Sequence, residues 1–209
     1  MMRVLVACEF SGTVRRAFRA RGVEAYSCDL LSSDPEAPTG HHLMGDVREF
    51  LHEGWDLMIA HPPCTYLASS GLHWNTRRPE RAKLTEDAIE FVMTLANAPI
   101  PRIAIENPIG ALSSRWRKPD QIIQPWQFGH DASKATCLWL SGLPPLVPTD
   151  VLPGGKTARR ANQTASGQNR LPPSKDRWKL RSVTYEGIAQ AMADQWINPF
   201  AAARRTETR

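Results

Sequence analysis

The order of apolar runs in the first thirty residues constrains the fold more than any other feature of this chain. MRVLVACEF is a short apolar run, and VEAYSCDL is a second one that ends at Asp29. Between them, apolar residues recur at helical spacing until Gly22. A strand, a helix and a strand within about 30 residues are typical of an open parallel sheet. The sequence therefore predicts a βαβ unit at the start of the chain.

The same alternation continues through the first half of the chain. Leu57–Ala60 is predicted to be a strand, because four apolar residues precede the turn-forming pair Pro62 and Pro63. Residues 79–97 have the apolar spacing of a helix that begins with a proline, and RIAIE predicts a further strand that ends at Glu106. Alternating strands and helices predict a three-layer α/β fold.

The second half is less regular. A strand is predicted at 136–140, and TYEGIAQAMADQWI has the pattern of an amphipathic helix. Residues 151–181 are rich in glycine, proline, serine and amide side chains, as in a functional or disordered loop. We therefore divide the chain into a core at 1–110, a basic region at 111–181, a helix returning to the core at 182–198, and a tail at 199–209.

Charge is unevenly distributed along the chain. The whole sequence has a net charge of +5, but residues 151–209 contain eleven basic and four acidic residues. The preceding residues are therefore slightly acidic overall. A basic segment on a near-neutral body favours a polyanionic partner, with nucleic acid first, although a solvated flexible segment has the same composition.

Composition excludes several classes of protein. With 42% hydrophobic residues, the chain is neither wholly disordered nor a disulfide-stapled miniprotein. No apolar run approaches the about 20 residues of a membrane span, and the N-terminal run is too short for a signal peptide. The four cysteines lack C-x-x-C spacing, so reduced thiols in the cytoplasm are expected. No metal site is expected, because the adjacent His41 and His42 have no nearby ligand pair.

Polar and reactive residues follow the predicted strands at the edge where open α/β sheets bind ligands. Gly12 would let a ligand approach the start of a helix, and Asp29 stands where an acidic side chain can bind ribose hydroxyls. Only one glycine of a G-x-G-x-x-G motif is present, so an adenosyl ligand without a pyrophosphate fits better than a dinucleotide. The alternative is a helix capped by Ser11 beside an ordinary strand-end aspartate.

Cys64 and Glu106 are the candidate reactive groups. Cys64 follows two prolines at a rigid strand end, where it is either a presented nucleophile or a structural cysteine. Glu106 ends an apolar strand, as a surface cap or as a general acid or base, and Asn107 would orient it or contact a substrate. Together, a thiolate and a carboxyl group suit an electron-poor ring that is attacked and protonated at once.

These motifs occur in a recognisable order: Phe10-Ser11-Gly12, Asp29, Asp46-Val47, Pro63-Cys64 and Glu106-Asn107. In this the sequence resembles the cytosine-C5 DNA methyltransferase family, as a small member of the phage or prophage type. The resemblance covers residues 3–110 and, more loosely, the C-terminal helix. It implies an S-adenosylmethionine-dependent, Rossmann-like α/β three-layer sandwich with a reduced target-recognition region.

The resemblance also implies a mechanism. The family flips cytosine out of duplex DNA and attacks ring atom C6 with a cysteine, here Cys64, while a glutamate, here Glu106, holds the protonated N3 side. Carbon C5 then takes the methyl group. Asp29 would bind the ribose and Asp46 the adenine amino group. The implied cofactor site consists of Phe10, Ser11, Gly12, Asp29, Leu30, Asp46, Val47, Pro62 and Ser182.

Several features depart from the family pattern. Thr65 follows the Pro-Cys pair where the family has glutamine, and the base-contacting arginine is unassigned because the matching region is Lys134-Ala135-Thr136. Only about seventy residues separate Pro108 from Arg181, too few for a large recognition module. Basic residues are therefore expected to hold DNA phosphates: Arg159, Arg160, Arg170, Lys175, Arg177, Lys179 and Arg181. Four tryptophans are candidates for base stacking, or else core residues: Trp116, Trp126, Trp139 and Trp178.

Other readings stay open at this point. The same chemistry could act on a free cytosine nucleotide or RNA, and a catalytically silent DNA-binding protein could share the fold. An amino-methylating enzyme fits less well, because His61-Pro62-Pro63-Cys64 differs at both ends from the Asp/Asn-Pro-Pro-aromatic tetrad. A homodimer is an alternative source of recognition residues.

Overall fold

One mixed sheet organises the part of the chain that the computed structural model describes, residues 2–34 and 39–198. Its seven strands lie in the order β3-β2-β1-β4-β5-β7-β6. They are β1 (Arg3–Ala7), β2 (Glu24–Asp29), β3 (His42–Met44), β4 (Leu57–Ala60), β5 (Ile103–Pro108), β6 (Gln121–Ile123) and β7 (Thr136–Ser141).

The strand directions identify the fold. The first five strands are parallel to one another, and β7 is antiparallel to both β5 and β6. The chain order reverses between β1 and β4, which creates the switch point where such sheets bind ligands. This is a Rossmann-like α/β fold, and the predicted fold class is confirmed.

Helices cover both faces of the sheet. They are α1 (Thr13–Arg19), α2 (Ser69–Leu72), α3 (Pro79–Ala96), α4 (Leu112–Arg115), α5 (Arg177–Ser182) and α6 (Glu186–Trp196). On one face, α1 and α6 pack with Val4, Leu57 and Leu138 into a single apolar cluster. On the other face, α3 contributes Val92 and Leu95 to a second cluster. The sandwich therefore has three layers, as predicted.

Strand alternation decides which side chains reach each face. Leu57 and Ile59 of β4 lie in the cluster of α1 and α6, whereas Met58 and Ala60 lie in that of α3. Because successive side chains of a strand point to opposite faces, His61 continues the first set. The same alternation along β5 places Glu106 on that face, two residues after Ala104.

The predicted elements of the first half coincide closely with the observed ones. The strand at Leu57–Ala60 has the predicted limits, and the helix predicted over 79–97 is Pro79–Ala96. The strand predicted to end at Glu106 continues to Pro108, because β7 pairs with it as far as Thr136. The last helix begins at Glu186, after the first residues of the predicted segment 182–198.

The predicted boundary after residue 110 is not a boundary of the sheet. Two strands from the predicted basic region, β6 and β7, complete the sheet beside β5. The prediction missed β6 because three residues carry too little pattern. The basic stretch ends in the short helix α5, which its composition did not predict.

Among the described residues, no helix is both long and apolar enough to cross a membrane. The predicted tail at 199–209 lies outside the described residues.

Candidate active site

Three strand ends meet at one level of the sheet. Ala7, Ala60 and Ile105 lie side by side in the register of β1, β4 and β5. The residues that follow them, Cys8, His61 and Glu106, therefore stand at the same edge of the sheet.

His61 and Glu106 form a buried pair at this edge. Nδ1 of His61 lies 2.7 Å from Oε2 of Glu106, and the two side chains are 9% and 12% exposed. The other ring nitrogen of His61, Nε2, is buried and has no hydrogen-bond partner among the described residues. Sequence reasoning did not assign His61 a role, because only the alternation of neighbouring strands turns it toward Glu106.

Glu106 is held as a carboxylate. Burial by itself would raise the pKa of Glu106, but the Lys134 ammonium, the hydrogen bond from His61 and the Thr136 hydroxyl outweigh it. The pKa of Glu106 is consequently lowered to about 2. The side chain is thus a buried anion at neutral pH, ready to accept hydrogen bonds from a ligand.

Cys64 lies within electrostatic reach of this carboxylate. It is exposed, on the loop that follows β4. Desolvation around its sulfur and the Glu106 carboxylate raise the pKa of Cys64, while Lys134 and Arg181 lower it. Cys64 is therefore mostly a thiol at neutral pH.

Lys134 links the two candidate reactive groups, since its charge acts on both Cys64 and Glu106. It lies two residues before the start of β7, and its backbone N–H donates to Oε1 of Gln124 at 3.0 Å. The sequence pointed to this region only as the place of an unassigned arginine. The structure places a lysine there as the nearby cation.

Asn107 is enclosed rather than presented to the cleft. The residue is 2% exposed, and its side-chain amide donates a 2.8 Å hydrogen bond to the carbonyl of Pro62. It therefore ties the end of β5 to the turn that carries Cys64. The two roles predicted for it, orienting Glu106 and contacting a substrate, both stay predictions.

Gly110 brings the loops after β4 and β5 together. A Cβ atom on this residue would lie 1.9 Å from the carbonyl oxygen of Leu67. Backbone hydrogen bonds from Ser69 to Ile109 and from Ala111 to Leu67 close the contact. The absent side chain at position 110 thus allows the Cys64 loop to lie against the end of β5.

The start of α1 differs from the alternative reading, a cap by Ser11. Gly12 is the N-cap residue, in the left-handed region with φ 66°, and the hydroxyl of Ser11 makes only 3.4 Å contacts. The Glu9 carboxylate instead accepts hydrogen bonds from the N–H groups of Val14 at 2.6 Å and Arg15 at 3.3 Å. Since a carboxylate already occupies this helix end, a pyrophosphate has no place there.

The two carboxylates that are predicted to bind adenosine lie near the end of β1. The carboxylates of Asp29 and Asp46 both help to raise the pKa of Cys8, so both lie within electrostatic reach of the end of β1. One oxygen of Asp29 accepts the N–H of Leu31 at 3.0 Å, and Asp46 caps the turn at Val47–Phe50 while pairing with Arg48. The Arg48 hydrogen bond lowers the pKa of Asp46.

The other predicted cofactor residues differ in exposure. Val47 is 4% exposed and Pro62 is buried, whereas Leu30 is 75% exposed. Ser182 is exposed at the end of α5, where its hydroxyl donates to the carbonyl of Lys179. An aromatic ring and two carboxylates are groups that suit adenosine, because a carboxylate accepts hydrogen bonds from hydroxyl and amino groups.

Phe10 connects the predicted cofactor residues to the basic segment. Its ring is 6% exposed and contacts Trp178 of α5 edge-on, with ring centres 6.4 Å apart. The Lys179 ammonium lies 5.1 Å from the centre of the same ring. Helix α5 therefore packs over the aromatic residue of the candidate cofactor site.

Most of the predicted phosphate-binding residues are accessible, but Arg160 is not. Arg159, Arg170, Lys175 and Arg181 are exposed, and Arg177 and Lys179 are half-exposed. The Arg160 side chain is only 5% exposed, lies over the Trp126 ring and is 3.7 Å from Asp131. The Arg160 side chain is thus mostly enclosed, and its contact with DNA phosphates stays a prediction.

The tryptophans considered for base stacking separate in the same way. Trp139 is 1% exposed and donates to the carbonyl of Arg117, while Trp116 stacks on it. Trp126 is buried at 9%, and Trp178 is 57% exposed. Trp139 is thus a core residue, and Trp178 is the accessible one of the four.

A candidate metal centre is lacking, since no group of three or more His, Cys, Asp or Glu within residues 2–34 and 39–198 is arranged to hold an ion.

Comparisons with known proteins found similarity only among solved structures. No family model and no curated protein matches the chain. An Escherichia coli prophage protein described as a DNA modification methyltransferase is 13% identical over 73% of this chain and 52% of its own, with a TM-score of 0.48. The Schizosaccharomyces pombe Dnmt2 methyltransferase is 15% identical over 76% of this chain and 57% of its own, with a TM-score of 0.46.

A third structure, the Entamoeba histolytica methyltransferase EhMeth, is 14% identical over 73% of this chain and 58% of its own, with a TM-score of 0.45. The chain thus spans somewhat more than half the length of these solved structures. Its fold follows from its own sheet order.

Proposed function

We propose that this protein is an S-adenosylmethionine-dependent methyltransferase that methylates cytosine C5 in DNA through a covalent bond to Cys64. The observation that carries this proposal is the approach of Cys64 and Glu106 at neighbouring strand ends, with Lys134 acting on both. A thiol, a buried carboxylate and a cation together match the needs of a ring that must be attacked at one atom and protonated at another.

The protonation states of the site suggest how attack is coupled to ring activation. Cys64 begins as a thiol, because its pKa is raised, and Glu106 begins as a carboxylate. When cytosine is bound, the Cys64 sulfur loses its proton and the ring nitrogen N3 gains one. Glu106 accepts the N3–H and amino N–H groups of the protonated ring. The sulfur then bonds to C6 without separate formation of a free thiolate.

The remaining steps transfer the methyl group and release the product. Addition at C6 places electron density at C5, which forms the new bond to a methyl group. S-Adenosylmethionine supplies that methyl group when bound. The C5 proton then passes to solvent water, the electron pair of the C6–sulfur bond returns to the sulfur, and the proton held at N3 goes back to it, which restores the aromatic ring and the Cys64 thiol. Lys134 stabilises Glu106 as the anion throughout, and Asn107 holds the two loops in register.

The candidate cofactor residues support an adenosyl ligand. Asp29 and Asp46 face the end of β1, beside the ring of Phe10. We infer that Asp29 accepts hydrogen bonds from the ribose and that Asp46 faces the adenine amino group. Glu9 contributes by filling the start of α1, which disfavours ligands with phosphates at that point.

Exposed cations favour a polymeric substrate. Arg170, Lys175 and Arg181 are exposed on the segment that leads to α5, and Arg181 also acts on Cys64. Phosphates held along this segment would bring a strand to the nucleophile. A free nucleotide has too few charges to use them all, so we take duplex DNA as the substrate.

The test is methyl transfer from tritiated S-adenosylmethionine to mixed-sequence duplex DNA, single-stranded DNA, RNA and free cytosine nucleotides, followed by nucleoside analysis. We expect tritium in 5-methyldeoxycytidine from duplex DNA. Cys64→Ser should abolish this signal and leave DNA binding largely intact, since the serine hydroxyl is far less acidic than the thiol.

The outcomes separate the competing functions. Transfer to RNA or to free nucleotides alone would keep the chemistry and replace the substrate. Methyl transfer by the Cys64→Ser variant would contradict the covalent mechanism. Cofactor and DNA binding without transfer to any substrate would identify a silent DNA-binding protein.

A further inference from the structure

A cavity in the basic region has the features of a second nucleotide site. We infer that it binds a phosphate-bearing nucleotide that flanks the target cytosine in the same DNA strand. This inference rests on the proposed function and adds a recognition site to it.

The cavity lies between the start of β7 and the loop that follows it. Its volume is about 500 Å³, within the range of about 300–1,000 Å³ of small-molecule sites. Gln124, Trp126 and Ser133 form one wall, and the chain from Lys156 to Gly167 forms the opposite one. It is large enough for a whole nucleotide and is open to solvent on the side of the exposed Lys156 and Arg159.

The lining is cationic. Lys156, Arg159 and Arg160 all contribute to it, and none of the described residues that line it is an aspartate or glutamate. Such a surface favours an anion, and phosphate is the anion that a nucleic acid presents at every nucleotide.

Arg160 gives the cavity a rigid, incompletely satisfied wall. Its Nη2 donates to the carbonyl of Gly155 at 2.9 Å, and its guanidinium lies 5.3 Å from the centre of the Trp126 ring. Its Nε–H is buried and has no hydrogen-bond partner among the described residues. An unpaired buried donor is unfavourable in the free protein, so a ligand oxygen that accepts from it would gain binding energy.

The position of the cavity connects it to the reaction site. Ser133 lines this cavity, and the next residue, Lys134, lines the small cavity at Glu106. Adjacent Cα atoms are about 3.8 Å apart, so consecutive residues of one chain segment line the two cavities. Asn162 accepts the N–H of Ser133 at 2.8 Å and Gln124 accepts that of Lys134 at 3.0 Å, which holds the shared wall in place. A strand with its target base at Glu106 would therefore have a flanking nucleotide beside Trp126.

Photo-crosslinking tests this placement. The probe is mixed-sequence duplex DNA in which 5-iododeoxyuridine replaces thymidine and 5-fluorodeoxycytidine replaces part of the cytosine. Fluorine at C5 cannot leave as a proton does, so in the presence of S-adenosylmethionine the DNA stays bonded to Cys64. Irradiation should then join a flanking iodouracil to Trp126, and mass spectrometry of the digested complex identifies the peptide.

A matched pair of variants separates the cavity from general charge. Lys156→Ala/Arg159→Ala should abolish the Trp126 crosslink, whereas Arg170→Ala/Lys175→Ala, which removes the same charge outside the cavity, should retain it. Both pairs should lower the salt dependence of DNA affinity by about two phosphate equivalents.

Each result decides between the proposals. Capture at Cys64 without a crosslink at Trp126 would overturn the nucleotide site and leave the proposed function standing. A lack of capture at Cys64 would overturn the proposed function and this inference with it. If free deoxynucleoside monophosphates bind the cavity tightly enough to compete for Trp126, the site serves a separate nucleotide and the flanking-strand assignment is wrong.

Discussion

At the scale of single residues, the reactivity of Cys64 depends on the two charges that flank it. The Glu106 carboxylate raises the pKa of Cys64, and the Lys134 ammonium lowers it. Removing the carboxylate should therefore increase the thiolate fraction below the pKa, although the same change destroys the proposed chemistry. In the proposed mechanism, the residue that activates the substrate therefore also lowers the reactivity of Cys64 in the free protein.

Alkylation by iodoacetamide at pH 8 measures this balance. Because a pKa change of one unit alters the thiolate fraction about tenfold, Glu106→Gln should alkylate several-fold faster than the wild type. Lys134→Gln should alkylate more slowly, and the wild-type rate should rise with pH through the raised pKa. Cys64→Ser gives the background from the other cysteines. Equal rates in the wild type and both charge variants would show that these charges do not act on the sulfur.

At the scale of elements, the contact at Gly110 holds the Cys64 loop against the end of β5. Gly110→Ala would place a methyl group 1.9 Å from the Leu67 carbonyl oxygen, so the two loops must move apart. Overpacking of this kind destabilises by about 1–3 kcal/mol. We expect a lower free energy of unfolding in urea and a larger loss of methyl transfer, because Cys64 and Glu106 separate.

Gly40→Ala is the control for this substitution, since a Cβ there meets nothing within 4 Å. Its free energy of unfolding and its activity should stay near the wild-type values. Equal stability of the two alanine variants would mean that the close approach at Gly110 is not needed.

Helix α5 provides a second prediction at this scale. Trp178 contacts Phe10, yet it is 57% exposed, so Trp178→Ala should change the free energy of unfolding little. If α5 covers the cofactor site, loss of the Phe10–Trp178 contact, worth about 0.5–1.5 kcal/mol, should detach α5 locally without unfolding the core and weaken S-adenosylmethionine binding by at most about tenfold. Equilibrium dialysis with labelled cofactor measures this.

Leu180→Ala is the matched control, because Leu180 is 60% exposed on the same helix. Cofactor affinity unchanged in both variants would separate α5 from the cofactor site.

At the scale of the whole molecule, charge is divided between a slightly acidic body and a basic segment. Residues 151–209 carry eleven of the 26 lysines and arginines of the chain. We expect DNA affinity to fall steeply with salt, because each neutralised phosphate releases condensed counterions. Arg170→Ala/Lys175→Ala/Arg177→Ala should reduce the slope of log K against log salt by about three phosphate equivalents.

Lys83→Ala is the control, since Lys83 lies on α3 and pairs with Asp87 within the body. It should leave the slope unchanged. A slope that responds equally to both variants would show that the basic segment is not the DNA-binding surface.

A homodimer remains a prediction.

Much of the fold was predictable because it depends on local pattern. Short apolar runs mark β1, β4 and β5, with Pro62 shortly after β4 and Pro108 at the end of β5, and helical spacing marks α3 and α6. Once an open α/β sheet is inferred, its strand ends must share one edge, so Cys64, Glu106 and Asp29 could be named as candidates together.

The sequence by itself thus determined the layered architecture, the edge at which chemistry would lie and the residue types available there. Tertiary structure decided what surrounds those residues. Strand register turned His61 toward Glu106. Pairing of β7 with β5 placed Lys134, two residues before β7, close enough to act on Glu106. Packing enclosed Arg160 against Trp126. These contacts join residues far apart in the chain, and their distances are set by pairing and burial, which local periodicity does not encode.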